Sequence, residues 1–179
     1  MEQDGLLKPE VKKALEDIVG QCFINNRYAD RIASILSVSF VMPNASNEIH
    51  HRIAHMYLNK NGADAIGDYM DSRNATTIYP GTLLGNQEYG NAIECMEVLL
   101  KNQLDLERVV QDAIVVAKNS GDITTKNFLE GVLVNLIPYT SGILALVDKA
   151  NQYNISDARN CASFDHDINT FGLNDLEWY

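Results

Sequence analysis

Four long stretches of this chain set apolar residues three and four positions apart, and three of its four prolines, Pro9, Pro43, Pro80 and Pro138, punctuate them. That spacing is the signature of helices buried along one face, and it predicts an all-α fold. The first stretch opens at Lys8-Pro9, with proline in the first turn where its missing N–H costs nothing, and carries Val11, Leu15, Ile18, Cys22, Ala29, Ala33, Leu36 and Phe40. It predicts helix A over 9–41, stopping near Pro43. Asn44-Ala-Ser-Asn is turn chemistry. Ser46 or Asn47 can cap helix B, over 47–73, and Glu48 suits the positive end of its dipole.

A poorly periodic stretch from Ser72 to Asn86 follows, long enough to cross the molecule. Helix C is predicted over 87–119, with Ile93, Met96, Leu100, Leu106, Val109, Ala113 and Val116 on its apolar face and Gly121 as C-cap. Asp122 caps helix D, whose stripe from Phe128 to Ala150 runs to 153 and in which Pro138 should introduce a bend. Tight turns make A–B and C–D antiparallel hairpins, while the long connection lets B and C run parallel. The prediction is a four-helix bundle of rods about 45 Å long over 1–153, with one long crossover between B and C. The tail, 154–179, is acidic but carries Phe164, Phe171, Leu173 and Trp178; it either docks through these aromatics or stays mobile.

Charge and cysteines narrow the setting. A net charge of −10 argues against binding a phosphate backbone, so DNA binding is disfavoured. The three cysteines, Cys22, Cys95 and Cys161, lack CxxC spacing and suggest neither a disulfide framework nor a zinc site, which points to a reducing, cytoplasmic setting. No charged-then-apolar leader opens the chain, and its uncharged runs fall short of the roughly 20 residues of a membrane span. No P-loop, dinucleotide fingerprint or Ser-His-Asp spacing is present.

Several segments resemble a known family. Asp122-Ile-Thr-Thr-Lys-Asn-Phe-Leu-Glu130 is similar to the junction that opens the fourth helix of ferritins and of the mini-ferritins called Dps, the DNA-binding proteins from starved cells. Ile49-His-His-Arg-Ile-Ala-His-Met-Tyr57 resembles the mini-ferritin pattern Leu-His-x-x-Phe-x-x-x-Tyr, and Asp64 and Asp68 fall one residue early of an iron-ligating acidic pair. The resemblance covers about residues 8–153. It implies a ferritin-like bundle that assembles as a homo-oligomer, into a hollow cage, and that binds, oxidises and stores iron. The sequence departs from the pattern at Ser39-Phe40, where mini-ferritins carry the His-Trp pair that completes an intersubunit iron site.

The residues carry their own reading of that site. On an unbroken helix B, at 100° per residue, His50, Tyr57, Asp64 and Asp68 lie within about 40° of one line, about 100° from the apolar face of Ile49, Ile53 and Met56. Imidazole nitrogen and carboxylate oxygen suit iron, so His50, His51, Asp64 and Asp68 are candidate metal ligands; the same line also suits a solvated face. His51 and His55 have the i, i+4 spacing that lets two imidazoles meet on one metal, and Glu48-x-x-His51 is formally the motif of di-iron bundles. Inside the bundle, Asn25, Asn26, Gln103 and either Asn135 or Ile137 stand where a di-iron centre needs carboxylates. That pattern predicts a buried hydrogen-bonded layer instead of a metal. Glu94 and Glu97 flank the apolar stripe of C and read as surface residues, whereas Glu130 suits a pore or an interface.

Helix D is apolar on nearly every side from Val132 to Ile137, which predicts a covering neighbour. Two functions therefore remain open at the level of sequence. One is a cage subunit for iron storage or detoxification, with iron as its metal and Fe(II) oxidation as its chemistry. The other is a structural or interaction protein on the same scaffold that has lost that chemistry.

Overall fold

In the computed structural model, which describes residues 5–82 and 85–179, all regular structure among the described residues is helical. Helix α1 (Pro9–Val38) starts on its predicted proline and buries Val11, Leu15, Ile18, Cys22, Ala29, Ile32 and Leu36 along one side. It ends where Ser39 N–H bonds back to Ile35 O at 2.8 Å and Met42 N–H to Leu36 O at 2.8 Å, a reversal that puts Val41 at φ 55°. Helix α4 (Ala92–Asn119) is capped by Asn91, whose side chain accepts from Glu94 N–H, while the Glu94 carboxylate accepts from Gly90 N–H at 2.8 Å. Glu94 is thus a capping residue on the surface, as its position beside the stripe suggests. Gly121, at φ 74°, turns the chain into α5 (Ile123–Tyr153), and Asp122 accepts from Thr125 N–H at 2.9 Å. Both caps fall where turn chemistry puts them. Helix α5 continues through Pro138.

Pairwise contacts fix the directions. Lys8 Nζ donates to Ser120 O, Asn25 Nδ2 to Asn102 O and Arg31 Nε to Gln87 O, so α1 and α4 run antiparallel. The described parts of the connection from Arg73 to Asn91, residues 73–82 and 85–91, lie along α1, held by Leu6 N–H on Arg73 O (2.8 Å), Ile78 N–H on Glu16 (3.1 Å) and the Arg31–Gln87 bond. They travel from the start of α1 toward its end.

The largest departure from the sequence reading lies between residues 43 and 73, where a turn at 44–47 and one helix over 47–73 were predicted. The chain instead forms a short α2 (Pro43–Glu48), a π-helical turn (Ile49–Ala54), an irregular stretch through Gly62, and α3 (Ala63–Ser72). The break has a local cause. Ala63 N–H reaches back to Tyr57 O at 2.9 Å and Asp64 N–H to Leu58 O at 3.2 Å, folding the chain so tightly that a Cβ at position 62 would sit 2.2 Å from Tyr57 O. Only glycine fits there. Asn59-Lys-Asn-Gly62 is the turn signal, and continued apolar spacing on either side of it conceals it.

Residues 154–179 pack on this helical body. After Asn154, left-handed at φ 54°, come a 3-10 turn (Ala158–Asn160), α6 (Cys161–Asp167) and two further 3-10 turns, with Phe164, Ile168, Phe171, Leu173 and Leu176 buried. Asp165, 6% exposed, accepts from Ala45 N–H at 2.7 Å and from Asn44 N–H at 3.3 Å. It caps α2, whose own N-cap, Met42, has no side chain to do so. Helix α5 leaves Val134, Ile137 and Leu144 exposed on one outer stripe. By length and composition it is apolar enough to cross a membrane, with 33% of its most apolar window buried within the chain.

Candidate metal centre

The π-helical turn decides which side chains meet. In an α-helix, residues five apart are separated by about 140° around the axis. The wider i→i+5 turn cuts that angle to about 50°. His55 N–H bonds to His50 O at 3.2 Å in this i→i+5 pattern, and the rings of the two histidines lie 4.3 Å apart, centroid to centroid. His51 joins them, 4.9 Å from His50 and 5.4 Å from His55, with all three pairs near edge-on. One ring nitrogen from each lies within 4.8 Å of one from each of the others, and all three residues are half-buried. Nitrogens on a shared tetrahedral ion sit about 3.4 Å apart, so small ring rotations would close the set.

Each ring also has a partner at Nδ1. His50 Nδ1 pairs with Asp30 Oδ1 at 2.9 Å, His51 Nδ1 with the main-chain oxygen of Tyr179 at 2.6 Å, and His55 Nδ1 with the same oxygen at 3.3 Å. An acceptor at Nδ1 fixes the tautomer in which Nε2 carries the free lone pair. Metal-ligating histidines are usually oriented in this way.

Of the residues that the sequence suggested, His50 and His51 enter this cluster together with His55. Asp64 and Asp68 do not; both lie exposed on α3, beyond the break in the chain. The line drawn through His50, Tyr57, Asp64 and Asp68 dissolves because it assumed one straight helix. Tyr57 turns inward, 1% exposed, and donates to Gln103 Oε1 at 2.7 Å. Glu48 is buried and engaged by Arg52, so Glu48-x-x-His51 does not present a ligand pair. Glu130 lies exposed and pairs with Lys126 at 2.6 Å. Asp30 and the Trp178–Tyr179 segment are functional neighbours that the sequence reading missed. Asp30 lies four residues after Asn26 at the margin of the α1 stripe, a weak signal, and Trp178 signalled that the tail could dock but not that it docks beside the histidines.

The predicted interior amides Asn25, Asn26 and Gln103 are buried and bonded, while Nδ2 of the neighbouring Asn102 is buried without a partner. Asn25 Nδ2 donates to Asn102 O at 2.8 Å, Asn26 Nδ2 to Ala54 O at 2.9 Å and Gln103 Nε2 to Thr140 Oγ1 at 3.1 Å. The α5 member of this layer is Thr140, whereas Asn135 and Ile137 are both exposed. The register on α5 is shifted because its apolar face gives no unique angular origin. Burial pushes the Tyr57 hydroxyl pKa up, with the neighbouring Cys22 adding to the shift and a hydrogen bond to Asn25 opposing it. Burial likewise lifts the Cys22 thiol to about 12. This layer offers amides, hydroxyls, a thiol and the carboxylate of Glu107, which accepts from Thr140 Oγ1, where a di-iron centre needs carboxylates from all four helices, so it does not fit one. No family model matches the chain, and no curated protein matches it.

Proposed function

We propose that this protein binds a divalent first-row transition-metal ion through His50, His51 and His55, on a ferritin-like bundle whose interior has lost the oxidation centre. The three-imidazole cluster is the observation that carries this reading. Imidazole suits zinc, copper, nickel and iron(II), and three nitrogen donors leave a fourth position open to solvent or to an exchangeable ligand. The antiparallel α1–α4 and α4–α5 pairs, and the long connection lying along α1, support the ferritin-like arrangement with one crossover. The buried amide layer supports loss of Fe(II) oxidation, so iron enters as a bound or sequestered ion and no oxidation step is assigned to the chain.

The same reading includes self-association in the cytoplasm. The exposed stripe of Val134 (61%), Ile137 (57%) and Leu144 (47%) supports a homo-oligomer in which a second copy covers α5. Net charge −10 supports an assembly that leaves DNA alone and draws in cations.

Calorimetric titration of metal-free protein with Zn²⁺ and, without oxygen, with Fe²⁺ tests the site. One equivalent should bind to the wild type and to Asp64→Ala/Asp68→Ala, and none to His50→Ala/His51→Ala/His55→Ala. Admitting air to the Fe²⁺-loaded protein should produce ferric absorbance no faster than buffer does. Binding that survives loss of the three histidines but disappears with the two aspartates would move the site to α3.

A further inference from the structure

The three histidines do not hold themselves. Two of them take their orientation from residues more than 120 positions away, at 176–179. The Trp178 ring stacks on His51 with centroids 4.4 Å apart and planes 19° from parallel. Tyr179 N–H donates to His51 O at 3.0 Å, and the main-chain oxygen of Tyr179 meets Nδ1 of both His51 (2.6 Å) and His55 (3.3 Å). Arg52, in the middle of the π turn, donates to Leu176 O, lies 5.0 Å from the centroid of the Trp178 ring and is neutralised by Glu48. On the far side, Lys60 pairs with Glu177 at 2.9 Å and Asn61 Nδ2 donates to the Tyr179 hydroxyl at 3.1 Å. Every residue of the segment is therefore fastened to the π turn or to the turn that follows it.

We infer that residues 176–179 form a positioning strap for the metal site, setting the tautomer of two of its three ligands and the ring plane of one. The inference rests on the metal-binding reading. A single oxygen that accepts from His51 and His55 holds both rings with Nδ1–H directed at the strap and the Nε2 lone pair free for the ion. When the strap lifts, both Nδ1 atoms lose their acceptor, His51 loses its stacking partner, and the rings regain the rotational freedom that metal binding must then remove. Linkage makes the effect reciprocal, so the factor by which docking tightens metal binding equals the factor by which metal tightens docking. Asp30 plays the same positioning part for His50 and is independent of the strap.

The test combines Zn²⁺ calorimetry with amide hydrogen exchange on the full chain. Loss of comparable outer contacts lowers metal affinity by about 10- to 100-fold, and a fall of that size is the expected result for Trp178→Ala. Trp178→Phe keeps an aromatic face on His51 and should restore most of the affinity, a rescue that general loss of stability would not produce. Arg52→Gln, which releases Leu176 O and the Trp178 face without touching a ligand, should weaken zinc binding in the same sense. In the wild type, zinc should slow exchange of the Trp178 and Tyr179 amides. Trp178 is the chain's sole tryptophan, so its emission should change on zinc addition and stay constant in His50→Ala/His51→Ala/His55→Ala. Zinc binding of unaltered affinity in both Trp178→Ala and Arg52→Gln would overturn the strap and leave the metal site standing, as would faster exchange at Tyr179 with zinc bound. A wild type that binds no zinc would remove both.

Discussion

The side-chain amide of Asn26 donates to the carbonyl oxygen of Ala54 at 2.9 Å, at the point where the π turn ends. In a continuing α-helix that carbonyl would accept from Leu58 N–H, but Leu58 N–H bonds to His55 O instead. Ala54 is fully buried, so its oxygen would have no water to turn to. The polar residue that interrupts the α1 stripe therefore caps the break in the neighbouring segment, and through the break it sets the angle between His50 and His55.

Asn26→Ala should destabilise the fold by about 1–3 kcal/mol, the cost of leaving a buried acceptor without a partner. The same variant should bind zinc more weakly, because the wide turn it supports is what brings His50 over His55. Urea unfolding and zinc calorimetry on one preparation check both parts. An unchanged midpoint would show that water or a shifted backbone replaces the amide.

How far the sequence disclosed these features depended on whether they lie within one helix or between two. The start of α1, the end of α4 and both ends of α5 were legible because Pro9, Gly121 and Asp122 act on their immediate neighbours, whereas α1 ends at Val38 instead of 41 and α4 begins at Ala92 instead of 87. The buried state of Asn25, Asn26 and Gln103 was legible too, because amides on an apolar stripe must find partners. The break at Gly62 was not. Apolar spacing resumes in phase after it and conceals the turn signal Asn59-Lys-Asn-Gly62, so the segment reads as one unbroken helix. The His50–His55 contact was hidden for the same reason: an i, i+5 pair meets only once the turn is known to be π. The strap was more remote still, a contact between positions 51 and 179.

Tyr57→Phe isolates the interior layer from the metal site. Tyr57 Oη is the donor to Gln103 Oε1, and Gln103 is 0% exposed, so removing the hydroxyl leaves an acceptor in an apolar setting while keeping the ring volume. A loss of about 1–2 kcal/mol is expected, with zinc binding unaltered because no ligand or Nδ1 partner moves. Chemical unfolding of this variant beside the wild type is a sufficient check; a more stable variant would mean that the layer is over-provided with donors.

Alkaline pH should attack the core through its cysteines. Burial raises the Cys22 and Cys95 thiols from 9.0 to about 12 each. A thiol with a higher pKa in the folded state favours folding fully below the unfolded value and loses that contribution as pH climbs toward the folded one. Stability should hold up to about pH 9 and decline between 9 and 12. In Cys22→Ala the decline should be shallower, even though the smaller side chain lowers stability at neutral pH. Denaturant midpoints measured across that range give the slope directly; identical slopes for the two proteins would rule Cys22 out as its source.

Among the described residues, Val41 is the one β-branched residue held in the left-handed region. It sits at φ 55° in the reversal after α1, 73% exposed, and a β-branched residue in the left-handed region is disfavoured by about 1–2 kcal/mol. The reversal itself is needed, since Met42 N–H must reach Leu36 O to bury Met42 beneath the start of α2. Glycine adopts this conformation without strain but gives the unfolded chain more freedom, which returns about 0.4–1 kcal/mol of the gain. Asparagine tolerates the left-handed region with less of that entropy. Val41→Asn should therefore raise the unfolding free energy by up to about 1 kcal/mol and Val41→Gly by somewhat less, while Val41→Ile should leave it unchanged. Thermal unfolding of the three variants orders them. A loss of stability in both Val41→Gly and Val41→Asn would mean that the exposed valine side chain is covered in solution, as it would be at a contact between copies of the chain.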